Sequence, residues 1–398
     1  MAHFQLFIPT PSFSDNIVQD IIKLEQLRGR NVASNVHPKL FRQLKQIFHI
    51  IESLASARIE GNHTTIVDYV QDQLEQKTTS EPHKEIEAIN KCILYIDRCF
   101  SQNPHQPITE EFLKTLHRLL VKDLDPNKEG CKTPGTYRNQ EVTITRSQHT
   151  PPLYIKISDY MSELISFINC YTSIQQELLK VAVVHHRFTW IHPFSNGNGR
   201  ISRLLTYAML QKYGFDKVAL LNPAAIFCMN RDKYFAALSK ADTGTENGML
   251  FWCRYVLAGL NSEFEKIEKL LNRTFLIEKI IRPSIEYSLF RGLITQDESK
   301  VAWFGLCNPE FIFMSKDIRK IFENKEARQL TYLITKMLQK GLLKKESSAS
   351  RKYYINILYN PILRGFVETL TKEGFLNFEN DNLYSQKQPH NSTDNNFG

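Results

Sequence analysis

The segment 192–203, HPFSNGNGRISR, limits most strongly what this chain can fold into. Gly197 and Gly199 allow backbone N–H groups to approach a ligand closely, and a helical pattern begins at about Gly199. Because the first turn of a helix leaves N–H groups unpaired at its positive end, the segment predicts an anion cradle. It is not a Walker loop, since the order G-x-x-x-x-G-K-[ST] is absent, nor a Rossmann turn, since no strand pattern precedes it.

Polar side chains surround this cradle. Asn198 adds an amide, and Arg200 and Arg203 lie one turn apart, where two guanidinium groups can grip phosphate oxygens. His192 comes just before the cradle on a loop constrained by Pro193, and a neutral imidazole can accept a proton from an alcohol. A His-Pro or a Gly-x-Gly alone is more often an ordinary loop, but their combination here favours a phosphate site with a general base.

Most of the remaining chain has the periodicity of amphipathic helices, so we predict a mainly α fold. The longest N-terminal helix should stop at Gly61, because glycine tolerates the left-handed conformation found just past a helix end. Alternation over 142–145, after a turn at 134–137, predicts a small β-hairpin. His185 and His186 lie in a helical run and are interpreted as packing residues. Helices are predicted over 15–27, 39–60, 82–102, 108–123, 156–171, 174–190, 199–212, 231–242 and 248–272, and one more follows a cap at Thr64 or Thr65 and reads into Leu74.

The C-terminal part has a different pattern. A short helix over 317–322 capped by Ser315, a helix over 327–340 and strands over 342–345 and 352–357 give the order of a winged helix-turn-helix domain. Its basic residues are compatible with contacts to DNA phosphates, and a solvated basic face or a protein-docking surface would have the same composition. These basic residues are Lys336, Lys340, Lys344, Lys345, Arg351 and Lys352.

Composition restricts the class of protein and its cellular compartment. The 398 residues are 42% hydrophobic and 23% charged, as in globular proteins, and the length predicts two or three domains. No apolar run reaches the ~18 residues that span a bilayer, no leader pattern is present and the cysteines form no C-x-x-C pair. We therefore expect a cytoplasmic protein without membrane contact. The predicted division is an N-terminal helical region over 1–80, a helical core over 81–272, a winged-helix-like domain over 273–375 and a disordered tail over 376–398.

The segment 192–203 resembles the Fic family signature, H-P-F-x-[D/E]-G-N-G-R-x-x-R, at every defined position but Asn196. The helix just before it resembles the corresponding Fic helix, and residues 135–138, GTYR, with the strand-like 142–145 resemble the Fic flap. The likeness covers about residues 1–270. It implies an all-α core that transfers AMP from ATP to a Ser, Thr or Tyr hydroxyl, on a target protein or on the chain itself. The flap strand would align the target by strand addition.

By motif position, the resemblance implies roles for individual residues. His192 would take the proton of the target hydroxyl, and Gly197, Asn198 and Gly199 would hold the phosphates. Arg200 and Arg203 would neutralise them, with Arg203 toward the outer phosphate. Tyr234 also resembles a residue of the family that borders the adenine of ATP.

Asn196 departs from the signature. The family usually has an acidic residue there, which holds magnesium on the phosphates, and an amide brings no charge to a hard cation. The resemblance implies Mg or Mn on the phosphates, bound more weakly because of Asn196, and no set of protein metal ligands is predicted. The alternatives on the same fold are removal of AMP or transfer of another phosphate-linked group. A nucleotide-sensing regulator that binds DNA is the contrasting class, and a homodimer is one oligomeric state left open.

A second segment, 56–61, SARIEG, resembles the inhibitory motif of the same family, [S/T]-x-x-x-E-[G/N]. Ser56 and Glu60 are four residues apart and share one helix face. The resemblance implies that Glu60 enters the ATP site and pairs with Arg203, which would keep that arginine from positioning the γ-phosphate. The alternative is a solvated Glu60 on an ordinary amphipathic helix.

Overall fold

The computed structural model describes residues 4–29, 36–75, 80–144, 149–215, 220, 222–322 and 324–376. This part of the chain is mainly helical, as predicted, and none of its helices is both long and apolar enough to cross a bilayer. The helices are α1 (Asn16–Gly29), α2 (Pro38–Glu60), α3 (Ile66–Glu75), α4 (Glu81–Gln102), α5 (Glu110–Val121), α6 (Ile157–Asn169), α7 (Glu177–Ile191), α8 (Asn198–Lys212), α9 (Pro223–Cys228), α10 (Arg231–Ala241), α11 (Glu246–Leu271), α12 (Arg273–Phe275), α13 (Arg282–Phe290), α14 (Gln296–Cys307), α15 (Ser315–Arg319), α16 (Ala327–Gln339) and α17 (Pro361–Lys372). Short 3₁₀ turns lie at Tyr154–Lys156 and Ile174–Gln176, and a π-helical stretch, Leu276–Ile281, joins α12 to α13.

Helix α2 ends where the sequence predicts. Gly61 follows it with φ 110°, and its backbone N–H donates to the carbonyls of Ala57 and Arg58. Only glycine adopts this conformation without strain, which explains the stop. The helix is buried along most of its length because it packs against α4, α8 and α9. Its last turns therefore carry Ser56 into the interior of the protein, while Glu60, the last residue of the helix, stays partly exposed.

Helices α7 and α8 form the centre of the fold. Nearly every residue of α7 is buried, since α6, α8 and α11 pack around it. His185 and His186 are among these buried residues, in agreement with their interpretation as packing residues. The loop 192–197 joins α7 to α8, so the predicted site lies between two central helices.

The sheet lies in the C-terminal part. Its strands are β1 (Phe313–Met314), β2 (Leu343–Lys345) and β3 (Lys352–Ile355), all antiparallel in the order β1-β3-β2. The two predicted helices and two predicted strands correspond to α15, α16, β2 and β3. Strand β1 was not predicted, because a strand of two residues is too short to show alternation.

Other elements also differ from the predictions. The sequence indicates no helix at α9, whose six residues are fewer than two helical turns, nor at α13, α14 and α17. Helix α15 begins at Ser315 rather than being capped by it, because the Asp317 carboxylate accepts the N–H of Met314 at 2.9 Å. The predicted tail at 377–398 lies outside the described residues.

The predicted flap strand is not seen in the described residues. Val142 and Ile144 are half-buried while their neighbours Glu141 and Thr143 are exposed, so the alternation is real. A strand also requires a hydrogen-bonded neighbour, and residues 141–144 are assigned none. Thr145, the last residue of the predicted strand, lies outside the described residues.

Candidate active site

The backbone at His192 is held in an unusual conformation. Helix α7 ends at Ile191, and His192 follows in the left-handed region, with φ 52° and ψ 59°. This conformation costs a non-glycine residue roughly 1–2 kcal/mol, so its surroundings must impose it. The Arg138 Nε donates to the His192 carbonyl at 2.9 Å, and the Arg138 N–H donates to the Pro193 carbonyl at 2.9 Å. Buried Arg138 therefore fixes the loop that carries the histidine.

The His192 imidazole is oriented as a proton acceptor. Its Nδ1 lies 3.3 Å from the Thr189 carbonyl oxygen. Because a carbonyl can only accept, Nδ1 carries the proton of the neutral ring and Nε2 keeps its lone pair. Burial lowers the pKa of His192 to about 4, so the ring is neutral at pH 7. A base of this form can take a proton from a hydroxyl.

A cavity of about 550 Å³ opens beside His192. Pockets for small-molecule ligands have volumes of roughly 300–1,000 Å³, and a nucleotide fits within this range. The end of α2, the loop 192–197, the start of α8 and one side of α10 form its walls. Of the predicted site residues, the lining contains Glu60, His192, Asn196, Gly197, Asn198, Gly199, Arg203 and Tyr234.

A carboxylate already lies at the predicted anion cradle. The Glu60 Oε1 is 2.6 Å from Nη2 of Arg203, and a methyl group placed on Gly199 would be 2.5 Å from the same oxygen. Only glycine therefore allows the carboxylate this close to the start of α8. Burial favours the neutral acid, but the charge of Arg203 outweighs it and the pKa of Glu60 is lowered. Ser56 completes the contact, since its hydroxyl accepts from Nε of Arg203 at 2.9 Å.

Arg200 does not line the cavity with Arg203. It is 1% exposed, and its Nη1 donates to Oε1 of Glu85 on α4 at 2.7 Å, while Nη2 lies 2.9 Å from Glu129. Residues three apart on a helix point about 60° away from each other. The two arginines diverge further because Arg200 pairs with Glu85 on α4, whereas Arg203 pairs with Glu60 on α2. The predicted fork of two guanidinium groups on one ligand is therefore absent from this structure.

Two buried side chains shape the loop between α7 and α8. The Asn198 amide accepts the N–H of Phe194 at 2.9 Å and donates to the Phe194 carbonyl at 2.8 Å. His117 on α5 stacks on the Phe194 ring at 3.8 Å between centroids, accepts from the Gly135 N–H at 2.8 Å and donates to the Asn196 carbonyl at 3.2 Å. The amide of Asn198, predicted to face a ligand, is thus occupied in holding the loop.

Asn196 is also occupied by neighbouring backbone. Its Nδ2 donates to the carbonyls of Lys128 and Gly130 at 2.8 and 3.1 Å, and its Oδ1 accepts from the Gly197 N–H at 2.7 Å. Across the described residues, no group of three or more His, Cys, Asp or Glu side chains could hold a metal ion. The residues at this position therefore do not fit a magnesium site built from protein ligands.

Tyr234 forms an aromatic wall of the cavity. Its hydroxyl lies 2.9 Å from Nε2 of His185, whose Nδ1 lies 2.8 Å from Oγ1 of Thr206. Burial raises the pKa of Tyr234 to about 12, so the phenol is neutral. The ring of Phe227 packs 4.9 Å from it. A flat apolar group such as a nucleobase can pack against such a wall.

Sequence reasoning missed three residues that hold the site. Arg138, His117 and Glu85 lie 54, 79 and 115 residues from their partners in the site. Arg138 lies inside the GTYR segment that resembles the Fic flap, and this was the one available signal. Nothing in the sequence marks His117 or Glu85, since each is a polar residue on an ordinary amphipathic helix.

Comparison with known proteins finds similarity to one family. A family model described as Fic/DOC matches residues 107–210. The protein adenylyltransferase Fic of Culex quinquefasciatus is 30% identical over 228 residues, which cover 54% of this chain and 42% of that protein. A probable protein adenylyltransferase of Aquifex aeolicus is 27% identical over 272 residues, 66% of this chain and 77% of that protein. This chain thus spans less than half the length of the Culex relative.

A solved structure shows the fold. The crystal structure of a Fic family protein from Desulfovibrio desulfuricans G20 matches with a TM-score of 0.55 at 17% identity, over 88% of this chain and 98% of that one. The signature loop, the family match and this fold agree with one another. The chain therefore contains a Fic domain, of which residues 107–210 are the matched part.

Proposed function

We propose that this protein transfers AMP from ATP to a hydroxyl side chain of a protein. The observation that carries the proposal is the meeting of three features at one cavity. These are the proton-accepting His192, the glycine-lined start of α8 and the guanidinium of Arg203. The names of the Culex and Aquifex relatives support the same activity.

The chemistry follows from these groups. The target hydroxyl oxygen attacks the α-phosphorus of ATP, and the bond from that phosphorus to the bridging oxygen of the β-phosphate breaks. The hydroxyl proton moves to Nε2 of His192, and pyrophosphate leaves. The first-turn N–H groups of α8 and the Arg203 guanidinium stabilise the charge on the phosphates. The Tyr234 ring supports the adenine of ATP. A divalent cation bound to ATP would supply charge neutralisation on the phosphates, and Asn196 would offer it no protein carboxylate.

Glu60 restrains this reaction in our proposal. Its carboxylate occupies the anion cradle and pairs with Arg203, so it excludes a phosphate by both charge and space. A charge-assisted hydrogen bond contributes about 1.5–3 kcal/mol. ATP must displace Glu60 to bind productively, and the free-energy cost of that displacement lowers productive ATP binding by about one to two orders of magnitude.

The test uses ATP labelled on the α-phosphate, with Mg²⁺ or Mn²⁺, and a cell lysate as the source of targets. The Glu60→Gly variant is compared with the same variant carrying His192→Ala, or carrying His105→Ala as a matched control at an exposed histidine. We expect protein-bound label with Glu60→Gly, its loss with His192→Ala and its retention with His105→Ala. Label from γ-labelled ATP instead would indicate phosphate transfer, and release of label from pre-modified protein would indicate AMP removal. Either result would overturn the proposal.

A further inference from the structure

We propose that residues 296–355 form a winged helix-turn-helix module that binds duplex DNA. The elements follow in the order α14, β1, α15, α16, β2 and β3, and the sheet order β1-β3-β2 places the β2–β3 hairpin at one edge. In such modules the second helix of the helix-turn-helix enters the major groove. Here that helix is α16, and the β2–β3 hairpin is the wing. This inference does not depend on the transferase activity.

Helix α16 has one covered and one free face. Leu330, Leu333, Ile334 and Met337 are buried. The opposite stripe, spaced as on one face of a helix, is exposed, and Tyr332 is 69% exposed. An exposed stripe of this kind carries hydrogen-bonding groups and an aromatic ring, which suit contacts with base edges and sugars. Its members are Arg328, Thr331, Tyr332 and Thr335.

Positive charge without local neutralisation surrounds this stripe. Within the described residues, Lys325, Lys340 and Lys352 form ion pairs with Asp297, Glu298 and Glu346. Lys320 also pairs with Asp317, at 3.6 Å, and the other exposed cations of the module form no ion pair in the described part of the chain. A cluster of unpaired cations beside a helix face is the electrostatic complement of a phosphate backbone. These cations are Lys316 and Arg319 on α15, Arg328 on α16, and Lys344, Lys345 and Arg351 on the wing.

The module is attached to the rest of the protein through a different surface. The Gln43 side chain on α2 donates to the Ile355 carbonyl at 3.0 Å and accepts from the Ile357 N–H at 2.7 Å. Lys39 lies over the Tyr354 ring at 4.7 Å. These contacts use the end of β3 and leave the stripe on α16 exposed. A duplex can therefore reach α16 and the wing while the module stays docked on α2.

The test measures fluorescence anisotropy of a labelled mixed-sequence DNA duplex titrated with the full chain at several KCl concentrations. We expect binding that weakens linearly with the logarithm of salt, since each phosphate contact contributes about 0.9 to the slope. The double variant Lys344→Glu, Lys345→Glu should lose about tenfold or more in affinity. The charge-matched control Lys23→Glu, Lys122→Glu, at exposed positions outside the module, should stay within about twofold of wild type.

A second variant distinguishes groove contacts from simple charge attraction. Tyr332→Ala should weaken binding and leave the salt slope unchanged, because it removes no charge. Circular dichroism checks that each variant is folded. The proposal fails if duplex DNA does not bind, if both charge-reversal variants lose affinity equally, or if heparin competes as well as duplex DNA at equal charge.

Discussion

The two sides of α8 carry the same kind of ion pair in different surroundings. Toward α4, Arg200 pairs with Glu85, and the two side chains are 1% and 3% exposed. Toward α2, Arg203 is equally buried, but its partner Glu60 is 32% exposed and borders the cavity. One pair is sealed inside the protein, whereas the other can exchange its carboxylate for a ligand.

The difference shows how burial separates a structural pair from a regulatory one. Removing one member of a sealed pair leaves a buried charge without a partner, which strongly destabilises the fold. A carboxylate at a cavity wall can instead be solvated when it leaves its arginine. The same chemistry therefore holds the fold on one side of α8 and, in our proposal, controls access to the phosphate site on the other.

The largest expected effect is on stability. Arg200→Ala should lower the free energy of unfolding by about 3–5 kcal/mol, because it leaves Glu85 buried without its cation. Arg203→Ala should cost less, because water in the cavity can solvate Glu60. Urea denaturation followed by circular dichroism measures both variants. Equal losses would show that the two pairs are equally sealed and would remove the basis of the comparison.

The next effect is on transfer. Glu60→Gly should raise the rate of label transfer from ATP by about one to two orders of magnitude, because it frees Arg203 and the start of α8. The matched change Glu85→Gln alters the carboxylate of the other pair and should give no gain. Initial rates at subsaturating ATP test this difference. A gain in both variants would mean that loosening the fold, rather than vacating the cradle, produces activity.

Ser56→Ala should have a smaller effect in the same assay. The Ser56 hydroxyl accepts from Nε of Arg203, and a hydrogen bond of this kind contributes about 1 kcal/mol. Its removal loosens the contact without removing the carboxylate, so we expect a gain of about fivefold. In the Glu60→Gly background the same change should add little, because the contact is already broken. An equal gain in both backgrounds would separate Ser56 from the action of Glu60.

The sequence predicted the parts of this site that depend on neighbouring residues. Gly61 ends α2 and the glycines at 197 and 199 begin α8 through local backbone preferences, and the Glu60–Arg203 proximity followed from a family resemblance on both segments. The partner of Arg200 could not be predicted. Many carboxylates lie on amphipathic helices, and only the packing of α4 against α8 selects Glu85. Arg138 and His117 were missed for the same reason, since their bonds join segments that only the complete fold brings together.

The smallest expected effect concerns pH, where the two glutamates differ in sign. Burial raises the pKa of Glu85, so its ionisation in the fold opposes stability and acidification relieves that cost. At Glu60 the charge of Arg203 outweighs burial and lowers the pKa of the carboxyl. The stability that ionised Glu60 contributes is therefore present above the ordinary carboxyl range and is lost only as the pH falls through this lowered pKa. The His192 base, with a pKa of about 4, is neutral throughout this range. The ratio of the Glu60→Gly rate to the wild-type rate should therefore stay within about twofold between pH 8 and pH 6. A wild-type rate that approaches the variant's rate at pH 6 would show that Glu60 is protonated there and that the two carboxylates do not differ as the structure indicates.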